Sequence, residues 1–273
     1  MVFSDNSYIC NMNIKLPHIS VRWVWCTVAM LIVLVMYPLR DSCQSSASSV
    51  SSLMSVAVTG AQHVSYCGFD VYYSSTWHLP VCVVYELTSS ETSGKVPRSG
   101  KWWNDKSVKG CAYPEDYTRS GYDRGHMIPA GDLKWSKKAM DDSFVMSNVC
   151  PQNHGLNEGG WNNLERKVRE WAQREKSVVV FSGPIVAATD TVTLGVSHVR
   201  VPSGFYKIIA TIGSAMRVVA FIYPNAEADG DLNQYVVTVD EVESLTGIDF
   251  FNTLPIDLQQ RIESTKNLNY WLN

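Results

Sequence analysis

The sequence lacks the signatures of several common enzyme classes. It contains no G-x-S-x-G nucleophile elbow, no H-E-x-x-H metal motif, no Walker A sequence and no dinucleotide-binding fingerprint. None of its seven cysteines forms a C-x-x-C pair, and no histidine stands at zinc-finger spacing, so a structural zinc site is not expected. No internal repeat is present. These absences argue against the usual serine hydrolases, zinc proteases, P-loop enzymes and repeat proteins.

An excess of positive charge is also missing. The 273 residues carry 23 basic and 26 acidic side chains, which gives a formal net charge of −3. This balance argues against a protein that coats nucleic acid through bulk electrostatics, although a local grip on a phosphate group stays open. The chain is 45% hydrophobic and 18% charged, a composition typical of a globular protein with one large domain or two small ones.

The first sixty residues differ in character from the rest. We expect a short cytoplasmic segment at residues 1–20, a signal peptide or transmembrane anchor at 21–39 and a Ser-rich linker at 40–59. Lys15 and Arg22 precede the apolar run, and the positive-inside rule then predicts export of the following domain, residues 60–273. The domain would be periplasmic or extracellular, either held at the membrane by residues 21–39 or secreted after cleavage. Cys43 leaves a lipoprotein open, and an oxidising compartment would permit disulfides among four later cysteines whose pairing is undetermined.

The pattern after Gly60 predicts an α+β domain, because strands and one long helix are segregated rather than alternating. Short β-branched runs indicate strands, and a 3–4 residue apolar spacing indicates helices. The predicted strands are 80–87, 177–183, 205–212 and 216–223, and the predicted helices are 158–176 and 239–246.

Polar residues crowd into three short segments in a way that a plain core would not tolerate. The first contains Arg124, Gly125 and His126, where the histidine can accept a proton and the arginine can hold an anionic oxygen. Farther along, Asn157 and Glu165 lie eight residues apart, so both can face the same strand from a helix. A carboxamide oxygen with water molecules is a hard oxygen site that suits Mg²⁺. A histidine base, a hard cation and arginines together favour phosphodiester hydrolysis.

These segments resemble the signature of the DNA/RNA non-specific endonucleases, the ββα-metal or His-Me finger nucleases. The similarity extends from about Tyr85 to Phe251 and is carried by three sequences in order: D-R-G-H at 123–126, S-N-V-C-P-Q at 147–152, and L-N-E-G-G-W with L-E at 156–165. The resemblance implies a ββα-metal core with a central, mainly antiparallel sheet flanked by helices. It also implies metal-dependent cleavage of DNA and RNA with little sequence specificity.

By this resemblance each polar residue acquires an expected role. His126 would be the general base, Asn157 the direct ligand of a single Mg²⁺ that Mn²⁺ can replace, and Glu165 a partner of metal-bound water. Arg124 would contact phosphate or order the site, and Asn148 would fix the His126 ring. The family also has an upstream arginine that stabilises the transition state, for which Arg98 is the candidate, and Gln152 would play a supporting role.

Other interpretations remain open at the level of sequence. A catalytically silent nucleic-acid-binding or adhesion module could share the fold, and so could a phosphodiesterase for small nucleotides. A homodimer is possible. Trp102 and Trp103 could stack on bases or anchor their loop, and Lys134, Lys137 and Lys138 could follow phosphates or form a solvated face.

Overall fold

The computed structural model describes residues 48–213, 215–228 and 231–273. The predicted cytoplasmic segment and membrane or signal segment, and the linker up to residue 47, therefore lie outside the described residues. Within the described ranges, no helix has the length and apolar character needed to cross a bilayer.

Seven strands form one antiparallel sheet in the spatial order β12-β11-β10-β7-β4-β3-β2. The strands are β2 Gln62–Tyr66, β3 Phe69–Ser74, β4 Leu79–Thr88, β7 Ser177–Ile185, β10 Gly204–Thr211, β11 Val218–Pro224 and β12 Val236–Val237. Three two-stranded ribbons accompany the sheet: β1 Val56–Ala57 with β13 Asp249–Phe250, β5 Asp123–His126 with β6 Val149–Gln152, and β8 Thr193–Leu194 with β9 Val199–Arg200. The helices are α1 Ser48–Leu53, α2 Lys137–Ser143, α3 Asn162–Glu175, α4 Val239–Thr246, α5 Ile256–Glu263 and α6 Leu268–Leu272.

The central strands are buried on both faces, which explains their continuous apolar sequences. In β7, Val178 and Val180 belong to one core while Val179 and Phe181 belong to the other. The first core also contains the buried side of α3, and the second contains residues from α1, α4 and α5. The ribbon β5–β6 and helix α3 lie with the first core, so the sequence motifs share one face of the sheet. The predicted α+β class with an antiparallel sheet is confirmed.

The predicted start of the long helix changes for a local reason. The helix expected from Glu158 becomes regular only at Asn162, because Gly159 has the non-helical angles φ −97° and ψ −108°. Residues Leu156–Trp161 form a wide turn whose Gly160 amide donates to the Ala228 carbonyl at 2.6 Å. A Cβ at Gly160 would lie 2.6 Å from that same oxygen, so the close approach requires glycine.

The folded domain also begins before the predicted boundary at residue 60. Val50, Leu53 and Val56 are buried in the second core, and β1 pairs with β13. From Ser48 onward the predicted linker therefore forms structure. Cys82, Cys111 and Cys150 are buried free thiols.

Candidate active site

The ribbon β5–β6 brings the first two motifs side by side. Asp123 pairs with Gln152, Arg124 with Pro151 and His126 with Val149. Because side chains alternate along a strand, Arg124 and His126 share one side of the ribbon, as the two-residue spacing predicted.

Gly125 gives Gln152 the space it occupies across the ribbon. A Cβ at Gly125 would lie 2.2 Å from Gln152 Oε1 and 2.5 Å from Gln152 Cβ. Gln152 is fully buried, and neither polar atom of its amide has a hydrogen-bond partner within the described residues. These contacts give Gln152 a packing role beside the candidate base.

His126 lies in an aromatic pocket at the end of β5. Its ring centroid is 4.8 Å from that of Trp102 and 5.1 Å from that of Phe144, and its carbonyl accepts a hydrogen bond from Trp161 Nε1 at 3.4 Å. The residue is only 8% exposed. Burial lowers the pKa of His126 to about 3, and the nearby positive charge of Arg98 contributes in the same direction. The imidazole is therefore neutral at physiological pH, as a proton acceptor must be.

The side chain of Asn148 hydrogen-bonds to the backbone and not, as predicted, to the His126 ring. Asn148 Oδ1 accepts from the Ile128 amide at 3.0 Å, while Nδ2 donates to the carbonyls of Ile128 and Ser143 at 3.0 and 2.9 Å. Both amide protons are thus committed to the backbone. Asn148 holds the segment that follows His126 and acts on the histidine through the chain.

The two predicted arginines approach the aromatic pocket from different segments. The Arg98 guanidinium lies 5.0 Å from the centroid of Phe144, so the loop arginine does reach the surroundings of His126. The Arg124 guanidinium lies 5.8 Å from the Trp102 centroid, and its Nη2 donates to the Pro114 carbonyl at 2.6 Å. Arg124 Nε is buried without a partner in the described part of the chain. The site thus contains two cations that can face an anionic substrate.

Asn157 is held so that its amide oxygen remains available. Asn157 Nδ2 donates to Asp123 Oδ2 at 2.9 Å, and the same carboxylate oxygen contacts His154 Nδ1 at 2.9 Å. Asn157 Oδ1 makes no hydrogen bond to any described residue. A neutral oxygen oriented through its own amide group fits a hard divalent cation. Sequence reasoning placed Asp123 in the motif but assigned it no role.

Glu165 stands on α3 above a buried group of charges. Arg169 donates to Asp132 Oδ1 at 2.8 Å, and Tyr85 donates to Asp132 Oδ2 at 2.9 Å. Lys207, on β10, is fully buried, lies 4.3 Å from the Trp161 ring centroid and donates to the Met127 carbonyl at 3.4 Å. Burial raises the pKa of Glu165, and the positive charge of Lys207 opposes that rise.

Lys207 and Asp132 were missed by sequence reasoning. The only signal was a lysine inside the apolar strand sequence F-Y-K-I-I at 205–209, which marks a buried charge in need of partners.

The lysines after the first motif are partly neutralised. Lys137 pairs with Asp141, and Lys138 Nζ lies 2.7 Å from Asp142 Oδ2, both at i,i+4 spacing on α2. These pairs favour the solvated-face interpretation for this helix.

Comparison with known proteins gives consistent matches over the described domain. A model of the DNA/RNA non-specific endonuclease family matches residues 49–257. The chain is 36% identical over 228 residues to the mitochondrial nuclease EXOG of Danio rerio, covering 77% of this chain and 66% of that protein. It is 35% identical over 206 residues to the mitochondrial endonuclease G of Bos taurus, covering 70% and 69% of the two chains. A chain in the crystal structure of the EndoG/EndoGI complex superimposes with a TM-score of 0.71 at 27% identity, covering 82% of this chain and 97% of that one.

The chain spans 61–66% of the length of the four vertebrate EXOG nucleases that it matches.

The matches also correct the predicted location of the protein. The EXOG and endonuclease G relatives, and a Saccharomyces cerevisiae relative, are mitochondrial nucleases. The predicted periplasmic or extracellular location is therefore wrong. The apolar run at 21–39 and its basic flank satisfy a general rule for export. That rule uses only composition and charge, so it does not identify the compartment.

Proposed function

Because the chain belongs to the DNA/RNA non-specific endonuclease family, we propose that it is a hydrolase that cuts phosphodiester bonds within DNA and RNA with little sequence specificity. The observation that carries this proposal is a buried, neutral His126 with the guanidinium groups of Arg98 and Arg124 in its aromatic surroundings. A general base beside cations is what attack of water on an anionic phosphodiester requires.

His126 would take a proton from the attacking water as the water oxygen bonds to phosphorus. The bond from phosphorus to the leaving oxygen then breaks, and negative charge grows on the phosphate and on that oxygen. Arg98 and Arg124 would stabilise this charge, and their different anchoring suggests different contributions. Arg124 is tied to the Pro114 carbonyl and suits a fixed phosphate contact, whereas Arg98 is exposed on its loop.

A divalent cation, for which we propose Mg²⁺ with Mn²⁺ as a substitute, would be held by Asn157 Oδ1. Such a cation supplies Lewis-acid stabilisation of charge at the phosphate. Asp123 would fix the Asn157 amide, and Glu165, which has no hydrogen bond to any described residue, would accept hydrogen bonds from water around the cation. One carboxamide ligand implies weak, exchangeable binding. Exhaustive EDTA treatment should abolish cleavage, and added Mg²⁺ should restore it.

The decisive variant replaces the base. His126→Asn should lower kcat on plasmid DNA and on RNA by about 10²–10⁴-fold, the usual contribution of a general base, and should leave affinity within a few-fold. Turnover and fluorescence-anisotropy binding, measured at several salt concentrations, separate the two effects.

The exposed His198 provides a matched control, because His198→Asn should keep the parent rate. A folded His126→Asn enzyme that cuts within about tenfold of the parent, below the general-base range, would remove His126 from this role.

A further inference from the structure

Two adjacent tryptophans in the loop before the first motif have different surroundings. Trp103 Nε1 donates to the Asp141 carbonyl at 3.1 Å, and its ring meets Tyr66 edge-on at 6.3 Å. Trp103 is also joined to the chain at 144–146 through two backbone hydrogen bonds. These contacts anchor the loop, so Trp103 has a structural explanation.

Trp102 packs against the first core and against the small cluster of Ala130, Met140 and Phe144, but it lacks the hydrogen bond that Trp103 makes. Its indole nitrogen makes no hydrogen bond to a described residue, and the side chain is only partly buried. Its ring instead lies against His126 at 4.8 Å and against Phe144 at 4.9 Å, with the Arg124 guanidinium 5.8 Å from its centroid. A large aromatic surface therefore lies directly beside the candidate base and a candidate phosphate-binding group.

The Trp102 ring and the Arg124 guanidinium lie 5.8 Å apart, so one nucleotide can reach both with its base and its phosphate. A nucleobase is one sugar away from its phosphate, so a phosphate beside His126 and Arg124 brings a base within reach of Trp102. Stacking on an aromatic side chain is tolerant of sequence because every base has a π-face. The faces of a base inside a duplex are already covered by its neighbours, so stacking requires an unpaired base.

We propose that Trp102 forms a nucleobase-stacking subsite next to the scissile phosphate. The inference rests on the proposed nuclease function and adds a substrate-binding residue to it. Its contribution is distinct from that of the arginines, since it depends on the base and not on phosphate charge.

The test compares two ligands with equal numbers of phosphates. One is an eight-residue oligothymidylate, and the other is an eight-residue abasic oligonucleotide with the same backbone. Binding is measured with the full chain in EDTA, so that no cleavage occurs, by quenching of tryptophan fluorescence and by competition. The parent should prefer the oligothymidylate by about tenfold, within the range of one base–aromatic stack.

Trp102→Ala should lose this preference while its affinity for the abasic ligand stays within about twofold. Trp102→Phe, which keeps an aromatic face, should retain part of the preference. Trp103→Phe is the matched control in the neighbouring position and should behave like the parent. A hairpin duplex should gain nothing from Trp102, because its bases are already stacked.

The outcomes separate the subsite from the function. A Trp102→Ala protein that keeps the parent's preference overturns the subsite, and so does a parent without any preference. Circular dichroism checks that Trp102→Ala is folded. If it is not, Trp102→Phe provides the test of the subsite. Full loss of the preference in a folded Trp102→Phe protein would contradict stacking on an aromatic face. Failure of the parent to cut any polymer with Mg²⁺ counts against the nuclease function alone.

Discussion

His126 is enclosed by aromatic rings and lies near an arginine, so its charged form is less favourable than that of a histidine in water. Sequence reasoning assigned His126 an ordinary imidazole pKa of about 6.5. Burial and Arg98 together lower the pKa to about 3 in the folded protein. The surroundings of His126 thus keep its imidazole neutral, and they also affect the stability of the fold.

We expect this histidine to make the free energy of unfolding depend on pH. In the unfolded chain His126 becomes protonated below about pH 6.5, whereas in the folded protein it becomes protonated only near pH 3. The free energy of unfolding therefore decreases as the pH falls from about 6.5 to about 3. Between pH 7 and pH 5 the loss from this group amounts to about 2 kcal/mol, from about 1.4 kcal/mol per pH unit.

Urea unfolding of the parent and of His126→Asn at both pH values measures this difference. The variant should show a shallower pH dependence by that amount, and His198→Asn should match the parent. Equal slopes for the parent and His126→Asn would show that the folded histidine protonates normally.

Gly125 offers a second test at the residue scale. Gly125→Ala would place a Cβ within 2.5 Å of two atoms of Gln152. We expect destabilisation of about 1–3 kcal/mol, the usual cost of overpacking.

Gln152→Gly removes the opposing side chain. The loss in free energy of unfolding of the double variant should therefore be smaller, by about 1 kcal/mol, than the sum of the losses of the two single variants. Strict additivity in denaturant unfolding would mean that the two positions do not compete for space.

At the scale of elements, the site depends on one contact between a strand and the wide turn before α3. Asp123 on β5 accepts from Asn157 Nδ2 in that turn, and Gly159 and Gly160 let the turn pass close to Ala228. Helix α3 then presents Glu165 and Arg169 toward the buried Lys207 and Asp132. The geometry of the proposed cation site is therefore a property of the junction between two elements.

Asp123→Ala should raise the Mg²⁺ concentration needed for half-maximal cleavage by about 10–100-fold, the usual effect of losing a group that orients a ligand. Saturating Mg²⁺ should recover most of the rate. His154→Ala removes the other partner of the same carboxylate and serves as the control, with an unchanged Mg²⁺ requirement. An Asp123→Ala enzyme with the parent's Mg²⁺ dependence would exclude an orienting role for Asp123.

At the scale of the whole molecule, the chain before residue 60 completes the second core. Val50, Leu53 and Val56 are buried beneath the sheet, the Val56 strand pairs with Phe250, and Thr253 Oγ1 donates to the Ser52 carbonyl at 2.7 Å. The site residues lie with the first core, so the segment 48–59 contributes to stability without being part of the candidate site.

A chain of residues 60–273 should therefore be less stable than one of residues 48–273 by about 1–2 kcal/mol, the usual net contribution of a folded segment of this length at about 0.05–0.15 kcal/mol per residue. The burial of three aliphatic side chains favours folding of the segment, and the entropy of ordering its backbone offsets most of that gain. Calorimetry or urea unfolding measures the difference, and cleavage below the unfolding transition should be similar in both chains. Equal stability would contradict a structural role for residues 48–59.

Sequence by itself determined the family and the α+β class, because these depend on local patterns. The D-R-G-H run, the alternation along β5 and the 3–4 residue spacing of α3 are all short-range features. From them His126, Arg124, Asn157 and Glu165 are predicted to act as one group, and their catalytic roles stay predictions. Thr238, Glu241 and Gly247 likewise define α4 through a capping box and a left-handed C-terminal residue.

Only the tertiary structure decided which further groups lie at the candidate site. Lys207 comes 42 residues after Glu165, and although Asp132 follows His126 by only six residues, nothing in the local sequence pairs it with Arg169 and Tyr85. The sheet and α3 enclose both side chains away from water. The same holds for Trp102 and Arg98, whose loop carries no periodic signal and reaches the pocket through the contacts of Trp102 with His126 and of Arg98 with Phe144. The low pKa of His126 has this origin too, since burial and a neighbouring charge are properties of the assembled fold and not of any segment.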